Sequence, residues 1–210
     1  MPRETFFNLP EDKRNLVISA AMQEFSRADF KTASVNQICK RSNIAKGSFY
    51  QYFTDKLDLY VYIMSLAIGE KIRFFSDALA EFNTLTLFEQ FRLLFTKGME
   101  FARMHPLYAA LGEQFSKEHD ESAKSAVIKA GNNQSESLFM QMIQNARIKG
   151  EIDSEIDPLA FILLLKSLNS AVNEYMLNND VNVINEHNQE ELFKIVDSLL
   201  KIIFNGISAK

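Results

Sequence analysis

Cysteine, proline and glycine are scarce in this chain. Its 210 residues include one cysteine, four prolines and seven glycines. The lone Cys39 cannot form a disulfide within the chain, which is typical of proteins that work in a reducing cytoplasm. Because glycine-rich turns do not recur and apolar residues rarely alternate with polar ones, the sequence predicts an all-α protein.

Long apolar segments are also missing. The longest apolar run extends from Leu159 to Leu165 and is far too short to cross a bilayer. The first residues, Met-Pro-Arg-Glu-Thr, do not open the apolar stretch that marks a secretory signal peptide. We therefore expect a cytoplasmic protein that has no membrane partner.

Motifs for catalysis and metal binding are absent from the sequence as well. It contains no nucleophile elbow, no phosphate-binding loop and no paired acid–base motif. His105, His119 and His187 lie far apart and lack the spacing of metal ligands. The carboxylates between Glu151 and Asp157 lack the glycine and the terminal glutamate of a calcium loop. We expect no enzyme, no cofactor and no metal.

Positive charge is concentrated at the N-terminal end of an otherwise acidic chain. The formal net charge is −4 at pH 7. Residues 1–56 contain nine Lys and Arg against six Asp and Glu, whereas residues 57–210 contain fourteen against twenty-one. A basic head on an acidic body directs the head towards phosphate groups, which supports a nucleic-acid partner.

Two short helical patterns separated by a polar turn begin at Ser34. Ser34 and Gln37 have the spacing of a capping box at the start of the first helix. Asn43 tolerates the left-handed conformation that a tight turn requires. Phe49 and Phe53, four residues apart, give the second helix a buried side. This arrangement is typical of a helix-turn-helix, whose second helix enters the major groove of DNA.

Candidate DNA contacts come from the N-terminal ends of these two helices. A lysine at a helix start lies near the positive end of the dipole, which favours a neighbouring phosphate. A helical glycine costs about 1 kcal/mol, which close approach of the DNA can offset. The alternatives are that Tyr50 and Tyr52 pack inside the head, and that Thr32 and Ser34 only cap the helix. We predict contacts from Thr32, Ser34, Lys46, Gly47, Ser48, Tyr50, Gln51, Tyr52 and Lys56.

A family resemblance rests on the same segment. The residues that carry it are Phe25, Phe30, Ser34, Val35, Ile38, Ile44, the run Lys46-Gly47-Ser48-Phe49-Tyr50, Tyr52, Phe53, Lys56 and Leu59. In these positions the chain resembles the N-terminal domain of the TetR family of transcriptional regulators. Cys39 and Ser42-Asn43 depart from the alanine and Ala-Gly that many members have. Since Cys39 shares a packing face with Val35 and Ile38, we interpret it as an inert core residue and not a redox switch.

The resemblance and the helical patterns together predict the domain organisation. Residues 1–55 form a three-helix helix-turn-helix head, and residues 56–210 form a helical bundle for ligand binding and dimerisation. In the head, the helix that begins after Pro10 has an inner face made of Leu16, Val17, Ala20, Ala21 and Phe25. In the body, Asp55 can cap the first helix, with Asp58 three residues on, Thr86 and Glu89 form a second capping box, and Gly150 ends a helix. The predicted body helices cover about 55–80, 87–105, 106–117, 121–149, 158–178 and 190–205.

The last two predicted helices are apolar over more than one face, whereas a surface helix needs only one apolar stripe. We therefore predict a homodimer through these helices, as the resemblance also implies. Two-fold symmetry then calls for an inverted-repeat operator in double-stranded DNA. The resemblance further implies a body cavity for a small apolar or amphipathic effector. The candidate lining residues are Phe91, Phe95, Tyr108, Phe139 and Asn169.

The predicted function is that of a homodimeric DNA-binding regulator, a repressor that a small-molecule effector releases from its operator. Two alternatives remain open. The body could serve only dimerisation or a protein partner, in which case it would be densely packed without an enclosed cavity. An all-helical enzyme or a carrier of apolar ligands would show turnover, or tight ligand binding without effect on DNA binding.

Overall fold

The structure, a computed structural model, describes residues 1–80, 82–131, 134–178 and 186–205. These residues form α-helices and one short 3₁₀ helix, Phe82–Thr84, with no strand among them, so the predicted all-α class is confirmed. No helix in this described part is long and apolar enough to cross a membrane. The helices are α1 Glu4–Phe7, α2 Glu11–Phe25, α3 Val35–Arg41, α4 Lys46–Tyr52, α5 Lys56–Ala80, α6 Leu87–Met104, α7 Pro106–Ser116, α8 Glu121–Ala130, α9 Gln134–Ile148, α10 Pro158–Asn178 and α11 Glu186–Asn205.

The chain divides into two compact units. The first unit comprises Met1–Phe74 and His105–Asn133, and the second comprises Phe75–Met104 and Gln134–Lys210. The first unit therefore contains α7 and α8 as well as the predicted head. A division at residue 55 does not coincide with these units, and the assignment of separate functions to residues 1–55 and 56–210 stays a prediction.

Each unit has its own apolar core. In the first unit, rings and aliphatic side chains from α1 to α5 are fully buried, among them Phe6, Phe25, Phe49, Phe53 and Ile63. Leu111 of α7 and Val127 of α8 belong to the same cluster. The core of the second unit is built from α6, α9, α10 and α11, with Phe91, Ile143, Phe161, Leu192 and Val196 among its buried residues.

Local capping signals fix several helix ends as the sequence predicts. The hydroxyl of Thr86 accepts the amide of Glu89 at 3.3 Å, and the amide of Thr86 donates to the Glu89 carboxylate at 2.8 Å, so this capping box is confirmed. Asp55 caps α5 by accepting the amide of Asp58 at 2.8 Å. Gly150 has φ of 72°, the left-handed conformation that ends a helix.

Three details of the helix prediction are wrong. The helix predicted over 121–149 is two helices, α8, which has Gly131 as its C-cap, and α9, which begins at Gln134. The last helix begins at Glu186, about four residues earlier than predicted. The one-turn helix α1 was not predicted, so the head has four helices and not three.

The inner face of α2 is also narrower than predicted. Val17, Ala20, Ala21 and Phe25 are buried, but Leu16 is 51% exposed. Consecutive residues of an α-helix point about 100° apart, so Leu16 falls beside the buried stripe that starts at Val17.

Candidate nucleic-acid interface

The turn between α3 and α4 sets the angle at which the second helix leaves the head. Asn43 has φ of 53°, as its position in the polar break predicts. The buried Ser42 hydroxyl donates to the carbonyl of Ile38 at 2.7 Å, and the amide of Ile44 donates to the carbonyl of Cys39 at 3.0 Å. These bonds give the carbonyls of Ile38 and Cys39, in the last turn of α3, donors from the turn.

A buried glutamate of α2, which the sequence analysis missed, anchors both ends of α3. The Ser34 hydroxyl accepts the amide of Gln37 at 3.4 Å, as predicted. A capping box also needs a bond from the Ser34 amide to the Gln37 side chain, and this part of the prediction is wrong, because the amide donates to Glu24 at 2.9 Å. The other carboxylate oxygen of Glu24 accepts from Arg41 at 2.8 Å. The role of Glu24 could have been inferred from its position beside Phe25 on an apolar helix face, because a buried carboxylate needs hydrogen-bond donors.

Helix α4 separates a buried side from an exposed side. Phe49 and Phe53 are fully buried, as predicted. Tyr50 is 46% exposed, and Lys46, Gly47 and Gln51 are exposed beside it, while Ser48 is half-buried. Tyr52 is half-buried and lies with its ring centroid 6.1 Å from that of Phe6. The structure thus brings five of the predicted contact residues together along one short helix, with Tyr52 turned partly into the head.

The backbone at Gly47 leaves open space for a side chain. A Cβ atom built on this residue would meet no atom of the chain within 4 Å. Packing within the protein therefore does not require glycine here, although glycine weakens a helix by about 1 kcal/mol relative to alanine. Close approach of DNA to Gly47 stays a prediction.

The loop between α2 and α3 is held by side chains that the sequence analysis assigned to DNA. The Lys56 ammonium donates to the carbonyls of Lys31 at 3.1 Å and Ala33 at 3.0 Å, and it lies 4.7 Å from the ring centroid of Phe30. Lys56 therefore stabilises this loop from the start of α5, with one ammonium donor left over. Its contact with DNA stays a prediction.

The other two predicted residues at this end of α3 also make bonds within the chain. The exposed Thr32 donates from both its hydroxyl and its amide to the carboxylate of Asp29. These two hydrogen bonds hold the pKa of Asp29 below its ordinary value. The Ser34 oxygen accepts an amide and keeps its own hydroxyl hydrogen for an external acceptor.

Cys39 is a buried residue of the first core. Its side chain is 5% exposed, and burial raises the pKa of its thiol. The prediction that Cys39 is a core residue is confirmed by its place in this cluster, and its lack of a redox role stays a prediction.

The predicted effector residues do not all fall in one cluster. In the second unit, the rings of Phe91 and Phe139 stack with centroids 6.2 Å apart, and Phe95 meets Phe193 edge-on at 6.2 Å. Tyr108 belongs to the first unit, where its ring lies 5.9 Å from that of His105. The side chain of Asn169 lies outside the described part of the structure.

A shallow surface groove opens between α6 and α11. Its lining contains none of the predicted effector residues and consists of Arg92, Thr96, Glu190, Phe193, Lys194 and Asp197. Arg92 and Asp197 form a 3.0 Å ion pair across this groove. A binding cavity around the candidate residues therefore stays a prediction.

The N-terminal region is similar to known regulatory proteins. Residues 17–63 match the family described as bacterial regulatory proteins, tetR family. The HTH-type transcriptional regulator HbdR of Aromatoleum sp. (strain CIB) is 39% identical over 51 residues, which are 24% of this chain and 22% of that relative. The match to HbdR thus spans less than a quarter of either protein.

Solved structures resemble the chain over nearly its whole length. A TetR family transcriptional regulator from Chloroflexus aurantiacus J-10-FL aligns with a TM-score of 0.72 and 26% identity, covering 98% of both chains. The regulator FadR from Bacillus subtilis, solved in complex with stearoyl-CoA, aligns with a TM-score of 0.71 and 18% identity. It covers 92% of this chain and 99% of that one. At 18% identity, the similarity to FadR shows a shared fold alone.

Proposed function

Because the chain belongs to the TetR family of bacterial regulatory proteins, whose members are transcriptional regulators and not enzymes, we propose that it is a homodimeric repressor controlled by a small-molecule effector. The chain is a DNA-binding regulator with a helix-turn-helix head. The observation that carries the proposal is the exposed side of α4, where Lys46, Gly47, Tyr50 and Gln51 are exposed while Phe49 is buried.

The chemistry of this exposed surface suits the major groove. Lys46 at the first turn of α4 supplies a cation beside a phosphate, and the open space at Gly47 allows the helix to approach the DNA backbone. Tyr50 and Gln51 supply groups that can contact base edges or methyl groups. Thr32, Ser34, Ser48, Tyr52 and Lys56 complete the proposed contact set, with hydroxyl, phenol and ammonium donors for phosphate.

Exposed apolar residues on the last two helices support a dimer. Leu159, Leu163 and Leu164 of α10 are 58%, 63% and 48% exposed, and Ile202 of α11 is 49% exposed. A second copy of the chain would bury these side chains, which water otherwise surrounds at a free-energy cost. In a two-fold dimer the recognition helices lie roughly 34–36 Å apart or a multiple of it, so the operator is an inverted repeat.

The ring-rich core of the second unit supports an apolar or amphipathic effector. Phe91, Phe95 and Phe139 belong to this cluster. The assignment of Tyr108 and Asn169 to the effector site stays a prediction. FadR, which shares this fold, binds stearoyl-CoA in its solved complex, so acyl thioesters are the first class of compounds to test. An effector releases the operator by binding more tightly to the state whose two heads no longer match adjacent major grooves.

Selection of bound duplexes from a random DNA pool, followed by a screen for compounds that release them, tests the proposal. We expect an inverted repeat to be enriched, and a subset of apolar or amphipathic compounds to raise its dissociation constant at least about fivefold. Enrichment of an inverted repeat that no compound releases would favour the alternative in which the body serves dimerisation or a protein partner. Enrichment of no duplex would contradict the repressor assignment.

Gly47 offers a substitution that moves stability and DNA binding in opposite directions. We expect Gly47→Ala to raise the free energy of unfolding by up to about 1 kcal/mol, because alanine is the better helix former and its Cβ meets open space. The same methyl group should weaken operator binding about tenfold, since it occupies the surface that approaches DNA. Urea unfolding and a gel-shift titration measure the two effects.

Gly112 provides the matched control for this substitution. It is an exposed glycine of α7 whose Cβ would also meet nothing within 4 Å. Gly112→Ala should stabilise the protein to a similar extent and leave operator affinity unchanged. Equal operator binding by the two alanine variants would contradict close approach of DNA at Gly47.

A further inference from the structure

The N-terminal residues bind the C-terminal end of the recognition helix. The amide of Arg3 donates to the carbonyl of Tyr52 at 2.8 Å, and the Thr5 hydroxyl donates to the carbonyl of Gln51. Both acceptors belong to the last turn of α4, where helix carbonyls have no partner within the helix. The short helix α1 thus supplies two external donors to a recognition helix of seven residues.

An aromatic contact fastens the same segment to α4 and α5. The Phe6 ring is fully buried, with its centroid 4.8 Å from that of Phe53 and 5.7 Å from that of Tyr62. It also lies 6.1 Å from the ring of Tyr52. Burial of the phenylalanine ring stabilises this contact, so α1 remains docked when the head is folded.

We propose that α1 is a positioning element of the DNA-binding module, and that Arg3, Thr5 and Phe6 fix the last turn of α4. A helix of seven residues has little stability of its own, since isolated helices shorter than about 12–15 residues are marginal in water. Tyr50 and Gln51 lie in the turn that α1 caps, so the direction of their side chains depends on these contacts. The inference rests on the proposed DNA-binding surface and adds residues outside the helix-turn-helix to it.

Two substitutions of Arg3 separate the loss of the capping bond from the loss of the charge. Its φ of −76° and ψ of 159° are compatible with proline, which lacks the backbone N–H. Arg3→Ala removes the charge and keeps the donor to Tyr52, whereas Arg3→Pro removes both. We expect Arg3→Pro to bind the selected operator about three- to tenfold more weakly than Arg3→Ala, the fold-change that one lost hydrogen bond gives.

Hydrogen exchange measured on the free protein reports on α4 itself. In Arg3→Pro, the amides of residues 49–53 should exchange faster than in Arg3→Ala, while those of α2 stay unchanged. The dependence of affinity on salt should be the same in both variants, because neither differs from the other in phosphate contacts. A difference in salt dependence would assign the effect to a phosphate contact and overturn the positioning role.

A second pair of variants checks the hydroxyl contact. Thr5→Val keeps the shape of the side chain and loses the donor to Gln51, whereas Thr5→Ser keeps the donor. We expect faster exchange of residues 49–53 and weaker operator binding in the valine variant, and recovery of both in the serine variant. Equal exchange in the members of each pair overturns the inference, as does faster exchange without loss of affinity. Failure of the unmodified protein to bind any selected duplex instead contradicts the proposed DNA-binding function.

Discussion

Leu163→Glu is expected to convert the proposed dimer into a monomer and to lower operator affinity by at least about a hundredfold. Leu163 is 63% exposed on α10, beside the exposed Leu164 and Leu159. Its replacement would place a carboxylate inside the proposed interface, where an unpaired charge has a large desolvation cost. A monomer then loses the gain from linking two half-site contacts, which amounts to 10²–10⁴ in affinity.

Sedimentation velocity and gel-shift titration measure the two parts of this prediction. Ile148→Glu is the matched control, because Ile148 is 77% exposed at the end of α9 and lies outside the proposed interface. The control should remain dimeric and bind the operator normally. A Leu163→Glu variant that stays dimeric would show that another surface joins the two copies.

The helical framework could be predicted because its signals are local. The capping box at Thr86 and Glu89, the cap at Asp55 and the left-handed Gly150 each depend on residues within one turn. The helix-turn-helix was predicted for the same reason, since its turn and its two buried rings, Phe49 and Phe53, lie within a short segment.

Contacts between residues far apart in sequence could not be predicted. Glu24 binds α3 from ten and seventeen residues away, and the buried Glu118 accepts the amide of Phe30 at 2.7 Å across 88 residues. Lys56 was predicted to contact the DNA backbone, and in the structure its ammonium donates to the loop carbonyls of Lys31 and Ala33. A sequence pattern gives the type of donor but not which acceptor the fold brings near it.

Helix α1 illustrates a further limit of the sequence patterns. Four residues, Glu4–Phe7, are too few to show helical periodicity, and α1 exists because Phe6 is buried against the rings of Phe53 and Tyr62. For the effector candidates, the helical spacing was visible in the sequence but its meaning was ambiguous. Aromatic residues at helical spacing predict burial, but the same spacing occurs in a packed core and in a cavity wall, so only Phe91, Phe95 and Phe139 could be placed in one cluster.

Lys46→Ala and Tyr50→Ala should each weaken operator binding about tenfold or more, and together about a hundredfold. Lys46 is exposed, so its replacement should change the free energy of unfolding by less than about 0.5 kcal/mol. Tyr50→Ala also removes the edge-on contact of its ring with Phe49, with centroids 5.1 Å apart, and should lower the free energy of unfolding by about 0.5–1.5 kcal/mol. If Lys46 contacts a phosphate, its removal also reduces the slope of log affinity against log salt concentration by about 0.9. Tyr50→Ala leaves that slope unchanged if the ring contacts bases, and a gel-shift titration at several salt concentrations separates the two cases.

Two control variants make this prediction specific to α4. Lys129→Ala removes the same charge from an exposed residue of α8, outside the helix-turn-helix, and should leave operator affinity unchanged. Tyr50→Phe keeps the ring and removes the hydroxyl, so comparison with Tyr50→Ala assigns the contact to one of these groups. If the Lys46→Ala and Tyr50→Ala variants bind the operator as tightly as the unmodified protein, α4 is not the recognition helix. If Lys46→Ala and Lys129→Ala lose the same affinity, Lys46 acts only through the net charge of the protein.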